Sequence, residues 1–71
     1  MNDNVEKVMV FFIYDRDYTD EIVYQDVMSV NILNTMNELY IGEYYRIRRK
    51  IFCPTGSNLL PSPHFKVYVT D

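Results

Sequence analysis

An uninterrupted apolar segment at residues 8–14, Val-Met-Val-Phe-Phe-Ile-Tyr, constrains the fold more than any other part of the chain. In an extended conformation Val8, Val10 and Phe12 lie on one face, and Met9 and Phe11 lie on the other. Because both faces are apolar and most of these residues are β-branched or aromatic, the segment predicts a strand that is covered on both sides. We expect residues 6–14 to form the central strand of a sheet.

The size of the chain limits how such a sheet can be stabilised. A chain of 71 residues predicts one domain at most, spanning 1–71, that buries only about 60% of the surface exposed by its unfolded chain. A single cysteine, Cys53, excludes an intrachain disulfide, and with a single histidine, His64, no zinc site is expected. The two glycines are too few for a Gly-rich phosphate loop, so no nucleotide cofactor is expected either. A second subunit or a partner is the remaining means of support, which predicts a homodimer or a bound protein.

The rest of the chain predicts three more strands and one helix. Alternation and β-branched residues favour strands at 22–27, 43–53 and 64–70. Ser29 is a suitable N-terminal cap for a helix running from Val30 to about Tyr40, with Gly42 at its C-terminal cap. The prediction is an α+β fold of order β-β-α-β-β, in which one short helix packs on a small antiparallel sheet of about four strands.

The strand predicted at 43–53 carries the most informative pattern. Strict alternation would place basic and aromatic side chains together on its solvent-facing side, and these are Tyr44, Arg46, Arg48, Lys50 and Phe52. Arginine and aromatic residues dominate the energetics of protein interfaces, so this row is the candidate partner-binding site. Basic residues interleaved with rings are also used to bind single-stranded nucleic acid, which is the alternative. A third interpretation is a solvated face whose cations pair with acids on the next strand.

A cluster of acidic residues follows the central strand and is predicted to form a polar loop: Asp15, Asp17, Asp20 and Glu21. Oxygen ligands at this density suggest calcium or magnesium, but the spacing lacks the glycine that an EF-hand loop needs at its sixth position. No metal site is therefore predicted. A solvated acidic turn is the simplest interpretation, and mimicry of phosphate toward a basic protein is another.

Cys53 and His64 are the strongest candidate pair for nucleophilic catalysis, since they end and begin two successive predicted strands. A reactive thiol needs a base within hydrogen-bond reach. Alternation puts Cys53 in phase with Ile51, whereas His64 is out of phase with Phe65, so the pair is predicted to face opposite sides of the sheet. No catalytic residues are predicted, and the protein is interpreted as a non-enzyme.

The sequence thus predicts a binding function for a cytoplasmic protein that does not enter membranes, because its longest apolar run is too short to cross a bilayer. Eight of the ten acids lie in residues 1–38, while five of the seven basic residues follow, at a net charge of -3. This acidic balance favours a protein partner over nucleic acid. A composition typical of an AT-rich gene suggests a regulator or inhibitor encoded by a virus or mobile element, acting on a host protein in the host cytoplasm.

Overall fold

The computed structural model describes residues 7–16, 19–54 and 63–71. These residues form one sheet and one short helix, which confirms the predicted α+β class. In chain order the elements are β1 (Lys7–Arg16), β2 (Thr19–Ser29), α1 (Val30–Thr35), β3 (Glu38–Tyr40), β4 (Tyr44–Cys53) and β5 (His64–Thr70). Within the described part of the chain, no helix is long and apolar enough to cross a membrane.

The sheet differs from the prediction in its strand number and its directions. It has five strands in the order β2-β1-β5-β4-β3, because Glu38–Tyr40 adds a short edge strand where the helix was expected to continue. The prediction of a wholly antiparallel sheet is also wrong, since β1 and β5 pair in parallel, with Val10 opposite Phe65 and Phe12 opposite Val67. The predicted central position of β1 is confirmed, because it pairs with β2 on one side and β5 on the other.

The hydrophobic core lies on the side of the sheet that α1 covers, which we call the helix face. Val10, Phe12 and Leu33 are fully buried there. Val67 and Val69 of β5 complete the fully buried set, and Leu39 of β3 packs at its margin. The alternation predicted for β5 is therefore confirmed, since it turns every second residue toward this core.

The other side of the sheet, which we call the opposite face, is also apolar at its centre. Phe11 and Ile13 of β1 are buried there, and the ring of His64 packs edge-on against Phe11 with centroids 5.8 Å apart. Toward the outer strand β2 the same face exposes Ile22 and Val27, each by about half. The two-sided apolar pattern of β1 thus corresponds to a strand buried on both faces.

The helix begins where the sequence predicts and ends earlier. Ser29 caps it, and the extended C-terminal residue Met36 ends it after only six residues. Asn34 and Thr35 are poor helix formers, and such a short helix depends on packing rather than on propensity. Gly42 does not cap the helix as predicted; it has a φ of 90° in the turn between β3 and β4, a backbone conformation that favours glycine.

Replacing Ser29 with alanine should destabilise the fold measurably. The Ser29 hydroxyl accepts hydrogen bonds from the backbone N–H groups of Asn31, at 3.1 Å, and Ile32, at 3.5 Å. Losing such a cap costs about 1 kcal/mol, which for a domain of this size lowers the Tm by roughly 4–8 °C. Thr35→Ala is the control, because the exposed Thr35 hydroxyl only donates to the Ile32 carbonyl. Equal losses in both variants, measured by thermal unfolding, would contradict a special role for the cap.

Candidate protein-binding site

Strand β4 has the most polarised chemistry of the described elements. Between Tyr44 and Cys53 it carries four basic residues and no acidic residue. A β-bulge interrupts its pairing with β5, because Ile47 lies opposite Val69 while Arg49 lies opposite Tyr68, leaving Arg48 as the extra residue. A bulge reverses the parity of every residue beyond it. The face on which each side chain of β4 lies is therefore set by the bulge.

The bulge separates the five residues predicted to share one face, so that prediction is wrong. Lys50 pairs with Val67, and Phe52 pairs with Phe65, which places both on the helix face. Arg46 pairs with Thr70 on the opposite face, and Tyr44 follows it there by alternation. The basic and aromatic residues therefore form two small groups on two sides of the sheet.

A new group forms in their place on the opposite face, and we call it the arginine row: Arg46, Arg48 and Arg49. Arg49 stacks its guanidinium over the ring of Tyr68, 4.5 Å from the centroid. Arg48 approaches Asp15, with Nη1 and Oδ2 3.8 Å apart, but its side chain is still 58% exposed. An ion pair this long and this exposed contributes little stability, so Arg48 is available to bind another molecule.

The two predicted site residues on the helix face are engaged within the domain. Lys50 donates a hydrogen bond from Nζ to the carbonyl oxygen of Asn34 at the end of α1, at 3.2 Å. Phe52 packs against Phe65 with ring centroids 5.0 Å apart, although about half of its surface is exposed. Phe52 also lines an apolar groove of about 300 Å³ between α1 and the sheet. These contacts tie the end of β4 to the helix.

The outer edge of β4 is only partly covered. Strand β3 pairs with Tyr44–Arg46, and the backbone N–H of Ile47 donates to the carbonyl of Asn37 at 3.0 Å. From Arg48 to Cys53, no strand among the described residues pairs with this edge. Unpaired backbone groups on an edge strand are a template for pairing with another extended chain.

The predicted acidic loop is a hairpin rather than a loop. Asp15 lies near the end of β1, Asp20 and Glu21 lie in β2, and Asp17 falls outside the described residues. In register Asp15 pairs with Asp20, and Tyr14 pairs with Glu21. No group of three potential metal ligands occurs among the residues that the structure describes.

A polar cluster lies at the same end of the sheet. The Tyr14 hydroxyl donates to Asp71 at 2.8 Å, and the Tyr45 hydroxyl donates to Glu43 at 3.1 Å. The hydrogen bond to Glu43 raises the pKa of Tyr45, because it favours the protonated phenol. The two rings meet edge to face with centroids 6.0 Å apart. The cluster closes this end of the sheet by tying β1, β4 and the residue after β5 together.

The predicted separation of Cys53 and His64 is wrong. Beyond the bulge, Cys53 lies opposite His64 in the β4–β5 register, so both are on the same face. His64 is buried, whereas Cys53 is half-buried. Adjacent positions alone do not make a thiol nucleophilic, because activation also needs an accessible, electropositive setting that lowers its pKa.

Comparison of the chain with family models, curated proteins and solved structures finds no match. The function therefore has to be inferred from the chemistry of the site itself. The five predicted site residues do not include Arg49, which the bulge places on the same face as Arg46. Two consecutive arginines lie on opposite faces of a regular strand, so it is the bulge that brings Arg48 and Arg49 to the same face.

Proposed function

We propose that this chain is a non-enzymatic protein-interaction module that binds an acidic surface of a partner through the arginine row. The observation that carries the proposal is the bulge at Arg48, which gathers three guanidinium groups on one face of β4. Arginine presents a planar set of donors that matches carboxylates in two-point contacts and is enriched at interface hot spots. Tyr44, about half exposed on the same face, and Ile51, 40% exposed, supply apolar surface at either end.

Three observations favour a protein over single-stranded nucleic acid. The platform predicted for stacked bases is divided, because Tyr44 and Phe52, its two rings, lie on different faces. The ring of Phe52 is also packed against Phe65. Finally, the net charge of -3 opposes the binding of a polyanion such as nucleic acid. A regulator or inhibitor that acts by occupying an acidic surface of its target fits this arrangement.

Reversing one charge of the row should weaken partner binding strongly. We expect Arg48→Glu to weaken binding about thirtyfold or more, which is the effect of losing a hot spot worth about 2 kcal/mol. Lys7→Glu is the matched control, because this exposed residue changes the net charge equally but lies at the start of β1, away from β4. The measurement is affinity capture from nuclease-treated lysate of the source cells, followed by titration of the purified partner with each variant.

Two outcomes would contradict the proposal. Recovery that depends on intact nucleic acid, together with salt-sensitive affinity for an arbitrary single-stranded oligonucleotide, would favour the nucleic-acid alternative. Equal binding by Arg48→Glu and Lys7→Glu would show that the arginine row is not the site. A solvated, non-binding face predicts this second outcome together with a small change in the Tm.

A further inference from the structure

The sheet has three unpaired strand edges among the described residues, and the two longer ones belong to β2 and β4. Strand β2 is an outer strand of eleven residues, and the structure describes no strand on its far side. Toward the other end of the sheet, no strand of the described part of the chain pairs with β4 from Arg48 to Cys53, where β3 does not reach. Proteins commonly protect long edges with lysine, proline or a covering element. Neither proline nor lysine occurs between Thr19 and Ser29, so β2 lacks two of these protections.

The two edges have opposite charge. Strand β2 contains three acids, Asp20, Glu21 and Asp26, and no basic residue. Strand β4 contains four basic residues and no acid. Two copies of β2 would repel each other, and so would two copies of β4, whereas β2 of one copy and β4 of another attract. Charge therefore disfavours a symmetric pairing of like edges and favours a head-to-tail contact.

The strand directions permit such a contact without turning the second copy over. Strand β2 runs antiparallel to β1, β1 runs parallel to β5, and β5 runs antiparallel to β4. Strands β2 and β4 therefore run in the same direction at opposite ends of the sheet. A second copy placed beside β4 in the same orientation presents its β2 as a parallel neighbour, with both helix faces on the same side.

We propose that this protein associates head to tail, with the first half of β2 in one copy adding as a parallel strand to the uncovered edge of β4 in the next. Because β3 already lies beside Tyr44–Arg46, the incoming strand begins at Arg48. Its register then places Thr19 beside Arg48, Asp20 beside Arg49, Glu21 beside Lys50 and Ile22 beside Ile51.

Beyond the bulge residue Arg48, the faces of the paired residues agree with this register. Glu21 pairs with Tyr14 and Lys50 pairs with Val67, so both lie on the helix face. Ile22 pairs with Ile13 on the opposite face, where Ile51 also lies. Ile22 is 52% exposed, so pairing it with Ile51 would remove apolar surface from water in both copies. A repeated contact of this type does not close on two copies, so it produces a growing chain.

The inference goes beyond the proposed function, because it concerns the backbone edge of β4 and a second copy of the chain. Sedimentation velocity of the full chain, from micromolar to millimolar concentration, tests it. The wild-type sedimentation coefficient should rise continuously with concentration and should fall when salt is added. Lys50→Glu and Glu21→Lys should each lower the association constant by more than about tenfold, because each places like charges opposite one another.

The decisive sample is an equimolar mixture of Lys50→Glu and Glu21→Lys. When the two variants alternate, the introduced glutamate faces the introduced lysine at one contact, and the wild-type pair of Lys50 and Glu21 forms at the next. Association should therefore return to the wild-type level, and Lys7→Glu should behave as the wild type.

If circular dichroism shows that either single variant is unfolded, Ile51→Lys mixed with Ile22→Glu makes the same test at the neighbouring position. Lys50→Glu should still bind the partner of the arginine row, which separates this inference from the proposed function.

Three results would overturn the inference. One is a wild-type chain that stays monomeric to millimolar concentration. Another is a closed dimer that Lys50→Glu does not weaken, since a symmetric β2 interface would leave Lys50 uninvolved. The last is loss of association in both single variants without recovery in their mixture, because the charges would then not face one another.

Discussion

Replacing Phe12 with alanine should leave the protein largely unfolded at room temperature. Phe12 is fully buried at the centre of β1, with Tyr24 and Val67 opposite it in the register on either side. Its ring also packs on that of Tyr24, with centroids 5.8 Å apart. Removing a buried phenylalanine costs about 3–5 kcal/mol, and a core this small rarely supplies more than about 3–5 kcal/mol in total. The loss is therefore comparable with the whole stability of the domain.

The matched control is Phe52→Ala, which removes the same side chain from a position that is 49% exposed. Phe52 contacts Phe65 from the margin of the core, so we expect a loss of about 1–2 kcal/mol and a folded protein. Urea unfolding followed by circular dichroism measures both. Comparable free energies of unfolding for the two variants would show that the fully buried position does not dominate the core.

Local patterns predicted the parts of the fold that depend on one segment at a time. The apolar residues on both parities of β1 predict a strand covered on both faces, and β1 is indeed buried on both faces, with a neighbouring strand on each edge. The cap at Ser29 was predictable because a serine hydroxyl before a short apolar stripe satisfies the first free N–H groups of a helix. The alternation of β5 corresponds to its buried valines.

Pairing between distant segments was not predictable in the same way. The parallel register of β1 and β5 joins residues more than fifty positions apart. The residue pattern of one strand does not indicate whether its neighbour runs parallel or antiparallel to it. The apolar residues around Leu39 are compatible with a helix as well as with an edge strand. The structure has a strand here, β3, in which Leu39 pairs with Tyr45 and packs into the core.

The bulge at Arg48 is the largest cause of error at the candidate site. A strict period of two carried the parity of Tyr45 and Ile47 through to Cys53, which put Lys50, Phe52 and Cys53 on the wrong faces. A bulge inserts one residue, so every later position changes sides. The doublet Arg48-Arg49 is its sequence signature, because the second arginine would otherwise interrupt an apolar row. The strand that carries the row was therefore predictable, whereas the members of the row were not, because Arg49 joins it and Lys50 and Phe52 lie on the helix face.

The two proposed contacts would reinforce each other. A head-to-tail chain repeats the arginine row once in every copy. The added strand joins the edge of β4 and brings Asp20 beside Arg49, but it gives Arg46 and Arg48 no acidic neighbour. A partner with more than one acidic surface would then bind several copies, and the second binding event would gain an effective concentration set by the first. Several copies, each with its own Arg48 hot spot, would then bind such a partner more tightly than one copy does.

Replacing Leu33 with alanine should lower the free energy of unfolding almost as much as replacing Phe12. Leu33 is the only buried residue of α1, and its side chain is fully buried. A helix of six residues has almost no stability of its own, so it depends on the packing of Leu33 into the core that contains Val10 and Val67. The expected loss is about 2–5 kcal/mol, and it should reduce both the helical signal and the protection of the core from hydrogen exchange.

Ile32→Ala is the control, since Ile32 is the neighbouring aliphatic residue and is 56% exposed. We expect it to change the free energy of unfolding by less than about 1 kcal/mol, because most of its surface is already in water. Hydrogen exchange followed residue by residue distinguishes the local from the global effect. In Leu33→Ala, amides of the central strands β1 and β5 should exchange faster, because they open through unfolding of a destabilised sheet. Fast exchange confined to α1, with β1 and β5 as protected as in the wild type, would show that the sheet is stable without its helix.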